Sequence, residues 1–234
     1  MAKEAVETST EPAGAASVDD ISDKILGAIW EHRLPPGTKL VEDKLAGVFG
    51  VSRTKIRLAL AKLSHDGILT VEPNRGTFVS SPTVAQARQV FDARRVVESA
   101  LIRSLCGALT REQLARLRRN IAMEADARQR NDRRATIRLS GQFHVLLAEV
   151  SQNPFLGKYM RELCALTCLV IALYDAPGTP ACPHHEHSAI VDALEAGDAE
   201  KACALMVEHL DHVEGTLRLE MPSEGEIDFD AVFA

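Results

Sequence analysis

The sequence has little of what marks several protein classes. Only 4% of its 234 residues are aromatic, and no apolar run reaches the ~18 residues of a membrane span. The N-terminus has no apolar signal core, so we expect a cytoplasmic protein with no membrane partner. The five cysteines are odd in number and scattered, which favours a reduced compartment over a disulfide framework. A net charge of −6 argues against a protein that coats nucleic acid non-specifically.

Ala and Leu dominate the composition, which predicts a mainly α fold. The small, polar residues 1–16 predict a disordered arm. We expect residues 17–80 to form a first domain. Residues 81–86, which include Ser81 and Pro82, are a candidate hinge. Residues 87–220 are periodic throughout and predict an all-helical second domain, and the acidic residues 221–234 predict a flexible tail.

The most informative stretch is residues 51–69, where Ser52 can cap an amphipathic helix. Its apolar residues recur at spacings of four and three and form one buried stripe of Ile56, Leu60 and Leu63. The opposite face is basic, and residues 53–62 include no acid. Such a face fits a helix laid along a phosphate backbone with its first turn at the base edges. An ordinary solvated surface helix is the alternative.

The flanking elements favour the DNA-binding interpretation. Ser17 and Asp20 predict a capping box that starts a helix running to about residue 33, followed by a turn at residues 34–38. A short helix at residues 41–49, with Leu45, Val48 and Phe49 facing inward, ends at Gly50. Two β-like runs, 68–71 and 77–80, predict a hairpin tipped by residues 72–76. Together these elements predict a winged helix-turn-helix domain.

The segments PPGTKL, LAGVFGVSRTKIRLALAKL, DGIL and PNRGTFV, within residues 21–79, resemble the DNA-binding domain of the GntR family of bacterial transcription regulators. The resemblance implies that Arg53 and Arg57 contact double-stranded operator DNA. It departs at Lys55, where the family usually has Pro, at Leu58, where it has Glu, and near Asp43, where a basic residue is common. The full set of predicted DNA-binding residues is Ser52, Arg53, Thr54, Lys55, Arg57, Lys44, Asn74, Arg75 and Gly76.

The helical periodicity of the second domain predicts a bundle of six or seven helices, near residues 83–106, 111–130, 133–151, 154–174, 187–196 and 199–219. Three histidines lie on apolar stripes of three different helices: His144, His187 and His209. A lone histidine in such a place is usually a satisfied core residue. Three in one bundle are equally consistent with convergence on a divalent metal.

The segments FHVLLAEVSQNPFL, EHSAIVDALEAGD and LMVEHL resemble the FadR-type effector domain of the same family, the FCD domain. The resemblance implies that the three histidines bind a divalent ion such as Zn, Ni or Mn, with an Asp four residues before the first. Ser140 stands at that position, so either the affinity for the metal is lower, or a water, an effector oxygen or a neighbouring group completes the site. A second candidate cluster, ranked below the first, is Cys182 and His184 with the adjacent His185.

Arg94 lies on an apolar stripe, where its charge needs a partner. One interpretation is an ion pair with Glu98, four residues on. The other is an anchor for an effector carboxylate, because effectors of the resembled family are often small organic acids. We assign Arg94 and Ser140 as the predicted effector-binding residues.

These patterns predict a homodimeric, ligand-responsive transcription regulator, a repressor rather than an activator, that reads a palindromic operator. An effector bound in the helical domain would reposition the DNA-binding domains through the hinge. One alternative is a DNA-binding regulator whose bundle only dimerises and binds no metal. Another is a three-histidine metallohydrolase, but no residue stands out as its general base, so we predict that the chain is not an enzyme.

Overall fold

The computed structural model describes residues 16–175 and 186–219. The chain divides into two compact units, residues 1–80 and 81–234. Residues 1–15 of the predicted arm, the predicted tail, and the candidate cluster of Cys182, His184 and His185 lie outside the described residues. In the described part, no helix combines the length and apolar character needed to cross a membrane.

Over residues 16–80, the first unit consists of three helices and a three-stranded antiparallel sheet of order β1-β3-β2. Its elements are α1 (Val18–Trp30), β1 (Lys39–Leu40), α2 (Glu42–Phe49), α3 (Arg53–His65), β2 (Leu69–Glu72) and β3 (Gly76–Val79). The predicted hairpin is present, with Leu69 opposite Val79 and Glu72 opposite Gly76. Strand β1 was not predicted; it is only two residues long and pairs Lys39 with Phe78. The winged helix-turn-helix fold is therefore confirmed.

Local chemistry explains where these helices begin and end. Ser17 and Asp20 form the predicted capping box of α1. The Ser52 side chain accepts a hydrogen bond from the Lys55 amide at the start of α3. Gly50 ends α2 in the left-handed conformation, with φ of 63°, which a residue without a side chain adopts at little cost. The sharp turn between α2 and α3 depends on this glycine.

The prediction that Val48 faces inward was wrong, because 79% of this residue is exposed. Helix α2 is only eight residues long, and its partly covered side is formed by Leu45, Ala46 and Phe49. The core of the unit comes instead from α1 and α3: Ile21, Ile25, Ile29, Ile56, Leu60 and Leu63. The predicted apolar stripe of α3 is thus buried, and its basic side is left exposed.

The described residues of the second unit, 81–175 and 186–219, are mainly helical. Its helices are α4 (Val84–Leu105), α5 (Arg111–Gln129), α6 (Arg133–Val150), α7 (Pro154–Tyr174), α8 (Glu186–Glu195) and α9 (Ala199–Gly215). The helices form a closed ring in which each packs on the next, in the order α5, α6, α7, α4, α9, α8, and α8 also packs on α5. The core they enclose includes Phe91, Phe143, Leu147, Ile190 and Met206.

The predicted helix starts are present, but two helices end earlier than predicted: α1 ends at Trp30 rather than near residue 33, and α9 is also shorter. Thr110 caps α5, Asn153 caps α7 and Asp198 caps α9. Helix α9 ends at Gly215 rather than near residue 219. The chain after it turns back instead, because the Arg218 amide donates a hydrogen bond of 2.8 Å to the Tyr174 carbonyl.

The segment that connects the two units is short. Helix α4 already begins at Val84, capped by Thr83, so the last residues of the predicted hinge are helical. Pro82 is buried, and its carbonyl accepts a hydrogen bond of 2.9 Å from the Tyr174 hydroxyl. The segment is thereby fastened to the end of α7.

Candidate functional site: a three-histidine centre and a basic helix

The second unit brings the three predicted histidines together. His144 lies on α6, His187 on α8 and His209 on α9, and each is at most 4% exposed. The His209 Nε2 atom is 3.2 Å from His144 Nε2 and 3.3 Å from His187 Nε2. One ring nitrogen from each histidine lies within 4.8 Å of the others. The convergence expected from three separate helices is present in the structure.

The outer nitrogen of each ring faces a carboxylate. Nδ1 is 2.5 Å from Glu98 for His144, 2.8 Å from Glu124 for His187, and 2.6 Å from Glu186 for His209. A carboxylate accepts hydrogen bonds, so each Nδ1 carries a proton, which is the only ring N–H proton when the ring is neutral. Each Nε2 is then left with a lone pair that points toward the other two histidines.

The His209 lone pair, 3.2 Å from His144 Nε2 and 3.3 Å from His187 Nε2, is repelled by the other two unless a cation lies between them. Neutral imidazole nitrogens held by outer carboxylates are the donors that divalent transition metals prefer. The arrangement therefore fits a metal ion, for which His144, His187 and His209 would be the protein ligands.

The electrostatics keep two of the three rings, His144 and His209, neutral. Burial lowers the pKa of His144 well below its ordinary value, and burial lowers the pKa of His209 to about 4. Burial of Glu98 opposes its ionisation, but the charge of Arg94 and the hydrogen bonds from His144 and Arg94 prevail and lower its pKa to about 2. A metal at this centre would meet three uncharged ligands, with ionised carboxylates one step outward.

Glu124 and Glu186 were not predicted, although Glu124 had a signal in the sequence. It continues the buried face of α5 formed by Leu117, Asn120 and Ala127, where a carboxylate needs a partner. That partner is His187, together with Arg128, whose Nη2 lies 2.9 Å from Glu124. Glu186 directly precedes His187 in the sequence, and its contact with His209 on another helix follows from the packing of α8 on α9.

The predicted effector residues lie on α4 and α6. Arg94 is 3% exposed, and its Nε donates a hydrogen bond of 2.7 Å to Glu98. Its Nη1 donates to Thr167 Oγ1 at 3.3 Å, whereas Nη2 is buried without a hydrogen-bond partner among the described residues. Ser140 is half-buried, one helical turn before His144. The ion pair with Glu98 is thus present, and it leaves one donor of Arg94 unused.

The first unit exposes the predicted DNA-binding residues. The side chains of Arg53 and Arg57 are 67% and 69% exposed, and Ser52, Thr54 and Lys44 are exposed beside them. Lys55 is half-buried.

At the wing, Asn74 and Gly76 adopt positive φ angles of 60° and 107°. A Cβ atom on Gly76 would lie 3.3 Å from the Lys39 Cε, so this position favours glycine. Arg75 lies over the Phe78 ring, 5.4 Å from its centroid.

Comparison with known proteins agrees with both units. Residues 17–79 match the gntR family of bacterial regulatory proteins, and residues 89–212 match the FCD domain. The chain is 27% identical over 186 residues to the HTH-type transcriptional repressor RspR of Escherichia coli, covering 79% of this chain and 82% of RspR. It is 28% identical over 182 residues to the Nta operon transcriptional regulator of Aminobacter aminovorans, covering 76% of this chain and 84% of that protein.

Solved structures show the same architecture. A GntR transcriptional regulator from Rhodococcus sp. RHA1 superposes with a TM-score of 0.73 at 26% identity, covering 85% of this chain and 95% of that one. E. coli McbR/YncC superposes with a TM-score of 0.76 at 20% identity, with the same coverage, which supports the fold alone. The family and these relatives are transcription regulators and not enzymes, which speaks against the metallohydrolase alternative. The chain belongs to the GntR family of bacterial transcription regulators and carries an FCD domain.

Proposed function

We propose that this regulator is a homodimeric repressor that binds a palindromic operator and carries a divalent metal and a small organic-acid effector in its FCD domain. The observation that carries the proposal is the position of His209 Nε2, which lies 3.2 Å from His144 Nε2 and 3.3 Å from His187 Nε2. With all three outer nitrogens facing carboxylates, a neutral ring has no second proton to place between the inner nitrogens. A divalent cation removes the repulsion between the lone pairs and uses all three as ligands.

The effector would bind beside the metal. A buried donor without a partner costs about 1–3 kcal/mol, and Arg94 Nη2 is such a donor among the described residues. The carboxylate of a small organic acid would satisfy it. A metal with three protein ligands retains open positions, which a second oxygen of the acid would occupy, with Ser140 as a further contact.

The DNA-binding role rests on α3. Its capped first turn and exposed basic side fit a helix in the major groove, with Arg53 and Arg57 at base edges and Ser52, Thr54, Lys55 and Lys44 near phosphates. The wing residues Asn74, Arg75 and Gly76 would follow the adjacent backbone or groove.

A dimer follows from the need to contact two half-sites. Helix α7 offers an apolar stripe for this purpose. Phe155, Tyr159 and Leu173 are 72%, 52% and 40% exposed and share one side of the helix with the half-buried Leu163 and Leu166. The same stripe on a second copy would cover it across a two-fold axis. Effector binding would then act on the DNA-binding units through the segment at residues 81–86.

Metal content tests the proposal directly. The full chain, purified without chelator or His-tag, should contain about one divalent ion by mass spectrometry. The variant His144→Ala/His209→Ala should contain none, and His65→Ala, which removes an exposed histidine in the other unit, should match the wild type.

An absence of metal from the wild-type chain, even after incubation with zinc, nickel or manganese, would contradict this assignment. It would favour the alternative in which the three histidines are core residues and the bundle only dimerises.

A further inference from the structure

The two arginines assigned to DNA reading both have carboxylate partners on α2. Arg57 forms a bidentate ion pair with Glu42, with Nε 3.2 Å from Oε1 and Nη2 2.8 Å from Oε2. Arg53 forms an ion pair with Asp43. Both carboxylates come from the first turn of α2, so two adjacent acids hold two cations one turn apart on α3.

These ion pairs are too exposed to be explained by stability. The side chains of Arg53 and Arg57 are 67% and 69% exposed, and that of Asp43 is 57% exposed. Ion pairs in such positions contribute little to folding. The buried side of α3, including Ile56 and Leu60, holds the helix in place without them.

The pairs do affect how the arginines meet DNA. An arginine held by a carboxylate is not available to a phosphate, and the carboxylate itself is repelled by the backbone. In the correct sequence, the edge of a guanine can accept two hydrogen bonds from an arginine, and this bidentate contact replaces the lost ion pair. A phosphate in an arbitrary sequence offers only its charge.

We propose that Glu42 and Asp43 suppress binding to non-cognate DNA by occupying Arg57 and Arg53. The inference rests on the proposed DNA-reading role of α3. It assigns the two acids a role in specificity: they weaken binding to non-cognate DNA and do not strengthen binding to the operator. The lowered pKa of Glu42, which results mainly from its hydrogen bond with Arg57, agrees with a carboxylate that stays ionised and paired.

The magnitude follows from counterion release. Each phosphate contact on duplex DNA changes the slope of log K against log salt by about 0.9, so one contact raises the affinity about fivefold at 0.15 M relative to 1 M salt. Freeing one arginine should therefore strengthen non-specific binding about fivefold at 0.15 M.

The test uses the full chain and two probes. Duplexes selected from a random-sequence library by the wild-type chain serve as cognate DNA, and a scrambled version of the selected duplex serves as non-cognate DNA. Fluorescence anisotropy over a range of salt concentrations then measures both affinities for the wild type, Glu42→Gln and Asp43→Asn. Asp23→Asn, an exposed acid on α1, is the control for net charge alone.

Each of the two carboxylate variants should bind the scrambled duplex about fivefold more tightly at 0.15 M salt. The slope of log K against log salt concentration should be steeper by about 0.9. Affinity for the selected duplex should rise by less, since there the arginines contact base edges in either protein. Asp23→Asn should behave as the wild type. Thermal melting verifies folding; if Glu42→Gln unfolds, Asp43→Asn still decides the outcome.

Two results would overturn the inference alone. One is a scrambled-duplex affinity within twofold of the wild type at unchanged slope. The other is a weaker affinity of both variants for both duplexes, which would make the acids positioning groups for the arginines. If the wild-type chain selects no duplex and binds none, the proposed DNA-reading function fails, and this inference fails with it.

Discussion

The outer carboxylates of the three-histidine centre allow the metal-binding role to be separated from the folding role. We compare Glu124→Gln with Glu98→Gln. Each substitution removes the charge of a carboxylate that contacts a histidine Nδ1, at 2.8 Å for Glu124 and 2.5 Å for Glu98. Loss of an outer partner of a metal ligand typically lowers metal affinity 10–100-fold, so both variants should bind zinc about 10–100-fold more weakly.

The two variants should differ in stability. Glu98→Gln leaves Arg94 with its side chain only 4% exposed and without its charged partner, and breaking a buried ion pair costs about 3–5 kcal/mol. At about 2–4 °C per kcal/mol for a unit of this size, the Tm of the metal-free second unit should fall by about 6–20 °C. Glu124→Gln should cost less, because the side chain of Arg128 is 16% exposed and can be hydrated.

The assays are zinc titration in competition with a chelator and calorimetric melting of the metal-free chain. Glu149→Gln, an exposed change of the same charge on α6, should alter neither quantity. Zinc affinity that is unchanged in Glu124→Gln, in a variant that folds, would refute the argument that the carboxylates orient the three rings toward a metal.

Three further outcomes are expected. The metal-free chain should lose stability on acidification. Between pH 6.5 and about 4, His209 binds a proton in the unfolded chain but not in the folded one, and between pH 4.5 and about 2 the same holds for Glu98. Stability therefore falls with falling pH in both windows, and a melting temperature independent of pH from 7 to 4 would contradict this. Phe155→Arg should convert the dimer to monomers in sedimentation velocity, and a dimer that persists would remove the α7 stripe from the interface. Arg53→Ala and Arg57→Ala should abolish specific operator binding in a gel shift at unchanged Tm, and retained specific binding would exclude α3 as the reading helix.

The sequence predicted the elements that have strong local signals. Ser17 with Asp20 and Thr110 with Gln113 form capping boxes as predicted, since a cap is set by residues three apart and needs no distant partner. Strand β1 has no such signal, because its two residues are extended only through pairing with β3. Boundaries and elements set by distant contacts were the parts that sequence reasoning missed.

The candidate site shows the same division. Three histidines on apolar stripes could be found by helical period, and they converge. Their carboxylate partners come from other helices: Glu98 lies 46 residues from His144, and Glu124 lies 63 residues from His187. Spacing along one helix carries no information about such pairs, so the outer layer became visible only with the packing of the bundle.

The interpretations of Arg94 that the sequence left open are compatible in the structure. Its Nε is committed to Glu98, while Nη2 has no partner among the described residues. The Glu98 charge is balanced by Arg94, and Arg128 balances Glu124, whereas Glu186 contacts His209 and His212. The three ligands themselves are neutral, and Ser140 adds no charge where a carboxylate was expected.

The charge of a metal here would therefore be offset mainly by the outer Glu186 on His209, and the carboxylate of an effector would be the metal's first anionic ligand. Metal and effector would then each raise the affinity for the other by the same factor. In this chain we accordingly expect effector binding to depend on the metal more strongly than it would with an Asp in place of Ser140.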